Sequence, residues 1–323
     1  MKTKIIICLA ALLGLAAADI AKKQIELPIA RLTVKVIDEQ GQAVSEANVN
    51  LVFQDPITRK GAPVDGRTDV AGIFSAEGGS NSRVGGNVQK EGYYRAGFAF
   101  KDFIEVKDGR WLPWDATYKS ILRPIVKPVP LCARVLNKLQ IPTLSEPCGY
   151  DLVISDWVAP WGKGKTSDLV IKVDERRYTA WGDFDVAVSV TFSNPQDGLK
   201  EVELPEYGRY STFKWERFAP EEGYTPTFNT RTSSHPVNGY KSTSSAQQNF
   251  FFRVRTAYLN GKLVGGLYGK ISGGIIADVR NSDTAVLSFT YYLNPTSLDR
   301  NLEWDKTKNL ISGLRDEENP RAP

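Results

Sequence analysis

The stretch Phe184-Asp185-Val186-Ala187-Val188-Ser189-Val190-Thr191-Phe192 alternates apolar with small or polar side chains without a break. A period of two gathers alternate side chains on one face of an extended strand and scatters them around a helix, so the segment reads as a half-buried β-strand. The same rhythm recurs at Leu32-Val34-Val36, at Val49-Leu51-Phe53, from Phe250 to Tyr258 and from Ala285 to Leu293. Turn residues punctuate these runs at 38–42, at 194–198 and at Asn260-Gly261, the last a two-residue hairpin signal. Helical periodicity is scarce and no repeat of fixed period occurs. The expected fold class is all-β.

The start of the chain bears on its location. Lys2 and Lys4 precede an apolar run from Ile5 to Leu15, and Ala16-Ala17-Ala18 follows before Asp19. A short basic start, a short apolar core and small residues at the end form an export signal, so residues 1–18 are expected to be a cleaved signal peptide and 19–30 a linker. The run is too short to span a bilayer as a mature helix, and no later segment reaches the roughly 18–20 apolar residues required. The expected location is periplasmic or extracellular. The formal charge of +4 includes the two leader lysines, and basic and acidic residues are interspersed thereafter. No sustained basic surface for nucleic acid is indicated.

Roughly 300 mature residues exceed one typical domain, so two are expected. Leu32-Thr33-Val34-Lys35-Val36-Ile37-Asp38, Gly41-Gln42-Ala43-Val44, Ala47-Asn48-Val49-Asn50-Leu51, Thr68-Asp69-Val70-Ala71-Gly72-Ile73-Phe74 and Lys90-Glu91-Gly92-Tyr93 follow one another in order. In these elements residues 31–123 resemble the carboxypeptidase regulatory-like domains, a prealbumin-like β-sandwich. The resemblance implies a domain without catalytic residues of its own and an accessory, folding or adhesive role. Longer insertions at 54–67 and 101–116 depart from the family pattern. Residues 150–312 are expected to form a larger antiparallel β domain, and 313–323 a polar tail. Gly149-Tyr150-Asp151-Leu152, Asp156 to Lys165 and Tyr291 to Thr296 resemble C-terminal regions of exported bacterial proteins, a likeness that implies location and no chemistry.

Between the two domains, 124–149 is proline-rich and holds Cys132 and Cys148. In an oxidising compartment such a pair is expected to form a disulfide, closing a loop of about 17 residues and contributing on the order of 3 kcal/mol. The segment therefore reads as a stapled connector, with Ala133 to Leu139 its one helix-like stretch.

Most catalytic chemistries fail on spacing. Gly162-Lys163-Gly164-Lys165-Thr166 suggests a phosphate loop, but Ala159 stands where the first glycine is needed and Leu169 to Val173 reads as strand where a helix should follow, so no nucleotide is expected. The only histidine, His235, lies in a Ser/Thr-rich stretch without a Gly-x-Ser-x-Gly elbow. The two cysteines beyond the expected leader and one distant histidine make no metal site, and no cofactor is implied. Paired carboxylates for glycoside hydrolysis are available at Asp183, Asp185, Glu216, Glu221 and Glu222, although Asp183 and Asp185 fit the solvent face of their strand.

Of the seven tryptophans, Trp111 with Trp114 and Trp157 with Trp161 form close pairs in Pro- and Gly-punctuated stretches. Flat rings beside Asp, Arg or Lys suit the apolar faces and hydroxyls of sugars, and they equally suit burial at the ends of a sandwich. Three readings follow. The first is a non-catalytic binding or scaffolding protein whose partner is an envelope or extracellular protein or a polysaccharide. The second is a carbohydrate-binding protein using the tryptophans, and the third a carboxylate-dependent glycan-active enzyme.

Overall fold

The computed structural model describes residues 27–55, 57–205, 210–281 and 283–322. The expected signal peptide and most of the linker lie outside them. Among the described residues the fold is all-β, with a single 3-10 turn at Asp316–Glu318, and no helix is long and apolar enough to cross a membrane. The chain divides into two compact units, residues 27–125 with 210–212 and residues 126–205 with 213–322.

The first unit runs through β1 (Ile29–Ile37), β2 (Asn48–Gln54), β3 (Gly61–Arg67), β4 (Ile73–Gly79), β5 (Val84–Gln89), β6 (Tyr93–Tyr94), β7 (Ala96–Phe100), β8 (Glu105–Lys107), β9 (Arg110–Leu112), β10 (Ala116–Ile121) and β11 (Arg123–Pro124). One sheet sets β1 antiparallel to β4 and parallel to β10, with the β8–β9 hairpin joined at its end. The other is antiparallel in the order β3-β2-β5-β7. Leu32, Val34 and Val36 from the first and Val49, Leu51, Val88 and Phe98 from the second share one core, making a two-sheet sandwich. Two aspartates shape its turns. Asp38 accepts the amides of Gln40 and Gln42, and Asp69 those of Ala71 and Ile73. Gly72 sits at φ +75°, where a Cβ would lie 2.4 Å from the Val36 carbonyl oxygen, so only glycine fits. The inserted stretches supply edge strand β3 and the β8–β9 hairpin.

The second unit contains β12 (Val129–Gln140), β13 (Cys148–Asp151), β14 (Asp156–Trp157), β15 (Leu169–Ala180), β16 (Asp183–Thr191), β17 (Gly198–Glu201), β18 (Thr227–His235), β19 (Gly239–Ser242), β20 (Asn249–Leu259), β21 (Lys262–Asn281), β22 (Thr284–Asn294) and β23 (Trp304–Asn309). Two six-stranded sheets, β17-β20-β21-β22-β12-β23 and β14-β13-β15-β16-β18-β19, meet over a single core. Asn260 (φ +51°) and Gly261 (φ +76°) make the hairpin turn that their types predict.

The helix-like stretch from Ala133 to Leu139 is strand β12, paired to β22 on one side and β23 on the other. A bulge between Leu136 and Leu139, with Lys138 at φ +57°, turns both leucines toward the same core. That extra residue stretches an i, i+2 spacing to i, i+3, which in sequence reads as helical. Nor is the expected disulfide present: Cys132 and Cys148 are free and buried. Cys132 pairs with Leu293 in one sheet and Cys148 with Ile171 in the other, so each serves as a small apolar filler of the core. Burial pushes the Cys132 thiol up to about 11 and raises Cys148 as well.

Candidate functional site

The tryptophans singled out by sequence have unlike environments. Trp111 packs half-buried on the first core, near Phe103, and donates its indole N–H to Ser80 O at 2.8 Å. Trp114 lies under the Arg110 guanidinium at 4.7 Å. Trp157 is 6% exposed and edge-on to Tyr150 within the second core, while Trp161, four residues on, is 36% exposed. Burial therefore separates the two members of the Trp157–Trp161 pair. Trp181 is more exposed, at 80%, on the β15–β16 turn. His235 caps its own turn, Nδ1 accepting the amide of Val237 at 3.2 Å.

The Gly-Lys loop binds carboxylates of its own chain. Asp156 accepts the Lys163 amide at 2.9 Å, and Asp151 Oδ2 accepts those of Lys165 and Thr166 at 2.9 and 3.0 Å. Amides that would hold a phosphate are already used. Asp151 is clamped in turn by Arg255, which also makes a two-point pair to Asp168. Arg255 reaches them from a bulge in β20, where it adopts φ +56° and where buried Asp197 accepts the amides of Arg255 and Thr256 at 2.9 Å each. Burial raises the Asp168 carboxyl, while the Arg255 guanidinium pulls it back toward ionisation. This cluster is internal scaffolding.

A recess with exposed aromatic surface lies beside the same strand. A cleft of about 370 Å³ is lined by the end of the β20–β21 hairpin, by Glu221 and Glu222, and by Leu298 and Arg300. Its floor is assembled around Arg253. The guanidinium lies 5.1 Å from the Tyr224 ring and 6.0 Å from the Tyr258 ring, and it donates to Thr256 Oγ1, Glu221 O and Gln196 O. Tyr224 donates its hydroxyl to Pro220 O at 2.6 Å and is tilted against Tyr268, and burial raises its phenol. Tyr258 is 44% exposed, so it presents a ring held by a buried cation. Arg300 pairs with Glu221 at 3.1 Å and bonds Ala219 O, fixing the acidic wall. An aromatic face, carboxylates and a guanidinium in one recess can stack on an apolar ring and hydrogen-bond hydroxyls.

Of this set, sequence had indicated Glu221 and Glu222 only as spare acids and Tyr258 only as a strand residue. The available signal is an aromatic two residues before Asn260-Gly261, where a strand must leave the sheet. Of the other flagged acids, Asp183 pairs with Arg177 and Asp185 with Arg231.

No family model matches the chain, and no curated protein matches it. Three solved structures illustrate what it is similar to. One is 3-chlorocatechol 1,2-dioxygenase from Rhodococcus opacus 1CP, at 10% identity and a TM-score of 0.27, covering 32% of this chain and 62% of the dioxygenase. A second, from Bacteroides uniformis ATCC 8492 and provisionally described as carbohydrate-binding, is 11% identical with a TM-score of 0.19 over 81% of this chain and 97% of that one. The third is BcpA, the major pilin subunit of Bacillus cereus, 10% identical with a TM-score of 0.21 over 80% and 95%. With TM-scores this low, none bears on what the chain does.

Proposed function

We propose that this protein is a non-catalytic binding protein acting outside the cytoplasm, and that it holds a polysaccharide in the Tyr258 cleft. The observation that carries the reading is the Tyr258 ring, open to solvent and beside the Arg253 guanidinium, which also lies over Tyr224. A ring already held in place loses little freedom when a sugar stacks on it. The leader-like start supports export. The resemblance of residues 31–123 to carboxypeptidase regulatory-like domains supports an accessory role.

The carboxyls weigh the same way. A glycosidase acid must be both raised and reachable. Asp168 is raised by burial, yet its side chain is closed off by Arg255 and by the Leu152 amide. Glu221, on the cleft wall, is tied to Arg300.

Affinity electrophoresis of the full chain against neutral and acidic polysaccharides tests the reading. Tyr258→Ala is expected to weaken binding at least ten-fold while the melting temperature holds, with Trp114→Ala and Trp161→Ala as comparison variants. Retention of none of the polysaccharides by the unmodified protein would overturn it.

A further inference from the structure

The outer face of the β3-β2-β5-β7 sheet is built unlike an ordinary solvent face. Strand register places Asp65, Asn50, Asn87 and Gly97 side by side in one row across the four strands. The row continues for one more position. Ala96 bridges Ser211, and the Gly97 amide donates to Tyr210 O at 2.8 Å, which sets Tyr210 opposite Gly97. Ala96 and Ser211 are both buried and Tyr210 is 47% exposed, so its ring belongs to the outer face.

The polar groups of the row are strung in one direction. Arg95 Nε donates to Asn87 Oδ1 at 3.2 Å, Asn87 Nδ2 to Asn50 Oδ1 at 3.3 Å, and Asn50 Nδ2 to Asp65 Oδ1 at 2.8 Å. Each amide nitrogen keeps a second hydrogen, and Asp65 keeps a second oxygen, on the solvent side. The row therefore offers donors and acceptors alternately, with a cation near one end and an anion at the other. Asn48, Arg67 and Gln89 complete the walls of a shallow groove of about 360 Å³.

The glycines decide what the face is for. Gly86 points inward, and a Cβ there would come within 2.4 Å of Asn50 O and strike the Phe98 ring, so packing requires it. Gly85 and Gly97 point outward, and a Cβ on either would meet nothing nearer than 3.8 Å. Neither has a left-handed φ. Packing and backbone geometry thus leave both free to carry side chains, although glycine inside a strand costs about 0.5–1 kcal/mol relative to alanine. Asparagine and aspartate are poor strand formers as well. Local choices that oppose the fold without a structural reason mark a functional surface. A side chain at Gly97 would rise between Asn87 and Tyr210 and close that gap.

We infer that this face is a second carbohydrate site, one that takes an extended neutral glycan lying across the strands. One sugar ring stacks on Tyr210 above Gly97, and hydroxyls of the following rings bond Asn87, Asn50 and Asp65. Strands lie about 4.8 Å apart, close to the length of one pyranose residue, so the row of five positions spans ~19 Å, or about four sugars. Neutral ligands fit because amides both donate and accept, as hydroxyls do, and the terminal charges of the row offset each other.

The inference rests on the reading that the chain binds polysaccharide, and the two fail differently. Titration of the full chain with soluble β-glucan, mannan, xylan and galactan oligosaccharides is compared with Gly97→Thr, with the Asn50→Ala/Asn87→Ala double variant, and with Tyr258→Ala. Expected is a ten-fold or greater loss of affinity for at least one neutral oligosaccharide in Gly97→Thr, with the melting temperature unchanged or raised, and a similar loss in the double variant. Wild-type affinity in both overturns the second site; the cleft reading then stands if Tyr258→Ala weakens binding and falls if it does not. Failure of the unmodified protein to bind any of the four removes the second site, and failure to retain acidic polysaccharides as well removes the cleft reading.

Discussion

Arg255 and Asp168 face each other as a two-point ion pair, Nε to Oδ1 at 2.8 Å and Nη2 to Oδ2 at 2.9 Å, with the Asp168 side chain wholly out of solvent. Asp168 in turn accepts the Leu152 amide, and Arg255 also holds Asp151, whose carboxylate organises 153–154 and 165–166. One guanidinium thus ties the β20 bulge to the turns around β14.

Arg255→Met leaves Asp168 buried and unpaired, a change expected to cost about 3 kcal/mol near neutral pH. The sign of its pH dependence follows from burial, which raises the Asp168 carboxyl. Protonated in acid, Asp168 carries no charge to strand; ionised at higher pH, it does. The deficit of the variant relative to the parent should therefore grow as pH rises through the raised folded value and shrink below the ordinary carboxylate range. Urea unfolding at pH 4 and pH 7 measures both, and an equal deficit at the two values contradicts the assignment.

Asp197→Ala removes the acceptor for the Arg255 and Thr256 amides, leaving the bulge without its cap. The expected loss is about 2 kcal/mol, and Asp197→Asn should recover part of it because one carbonyl oxygen remains. Denaturant midpoints of the two variants check this.

The thiols of Cys132 and Cys148 are buried, and the former is held near 11, so both should resist alkylation in the folded protein at pH 7.5. In denaturant without reductant, peptide mapping should find both labelled. A mapped Cys132–Cys148 bridge would contradict the free thiols.

Glu318 accepts bonds from Arg134 and from Arg315, first the side chain of Arg134, and its carboxyl is lowered from 4.5 to about 2. A depressed folded value stabilises above the unfolded one and loses that effect as the carboxyl protonates. Stability should fall between about pH 4.5 and 2 by on the order of 1 kcal/mol through this group. Glu318→Gln should flatten that part of the curve, which melting temperatures across the range will show.

Local periodicity was sufficient for the strands because burial on a sheet repeats every two residues. Leu32 to Val36, Val49 to Phe53 and Phe184 to Val190 bury their apolar members as that spacing demands. The Asn260-Gly261 turn was equally legible, since few residue pairs tolerate two left-handed positions. Where a bulge inserts a residue, the rhythm breaks, and for that reason residues 133–139 of β12 read as helical in sequence.

The candidate sites were mostly hidden for a different cause. Asp65, Asn50, Asn87, Gly97 and Tyr210 are scattered along the chain, and only strand pairing brings them into one row. Trp157 and Trp161 are close in sequence, but one is buried in the core and the other faces solvent. Local sequence carries the alternation and turn chemistry that make strands. Which strands become neighbours, and so which side chains share a surface, is set by long-range pairing and by closure of the two cores.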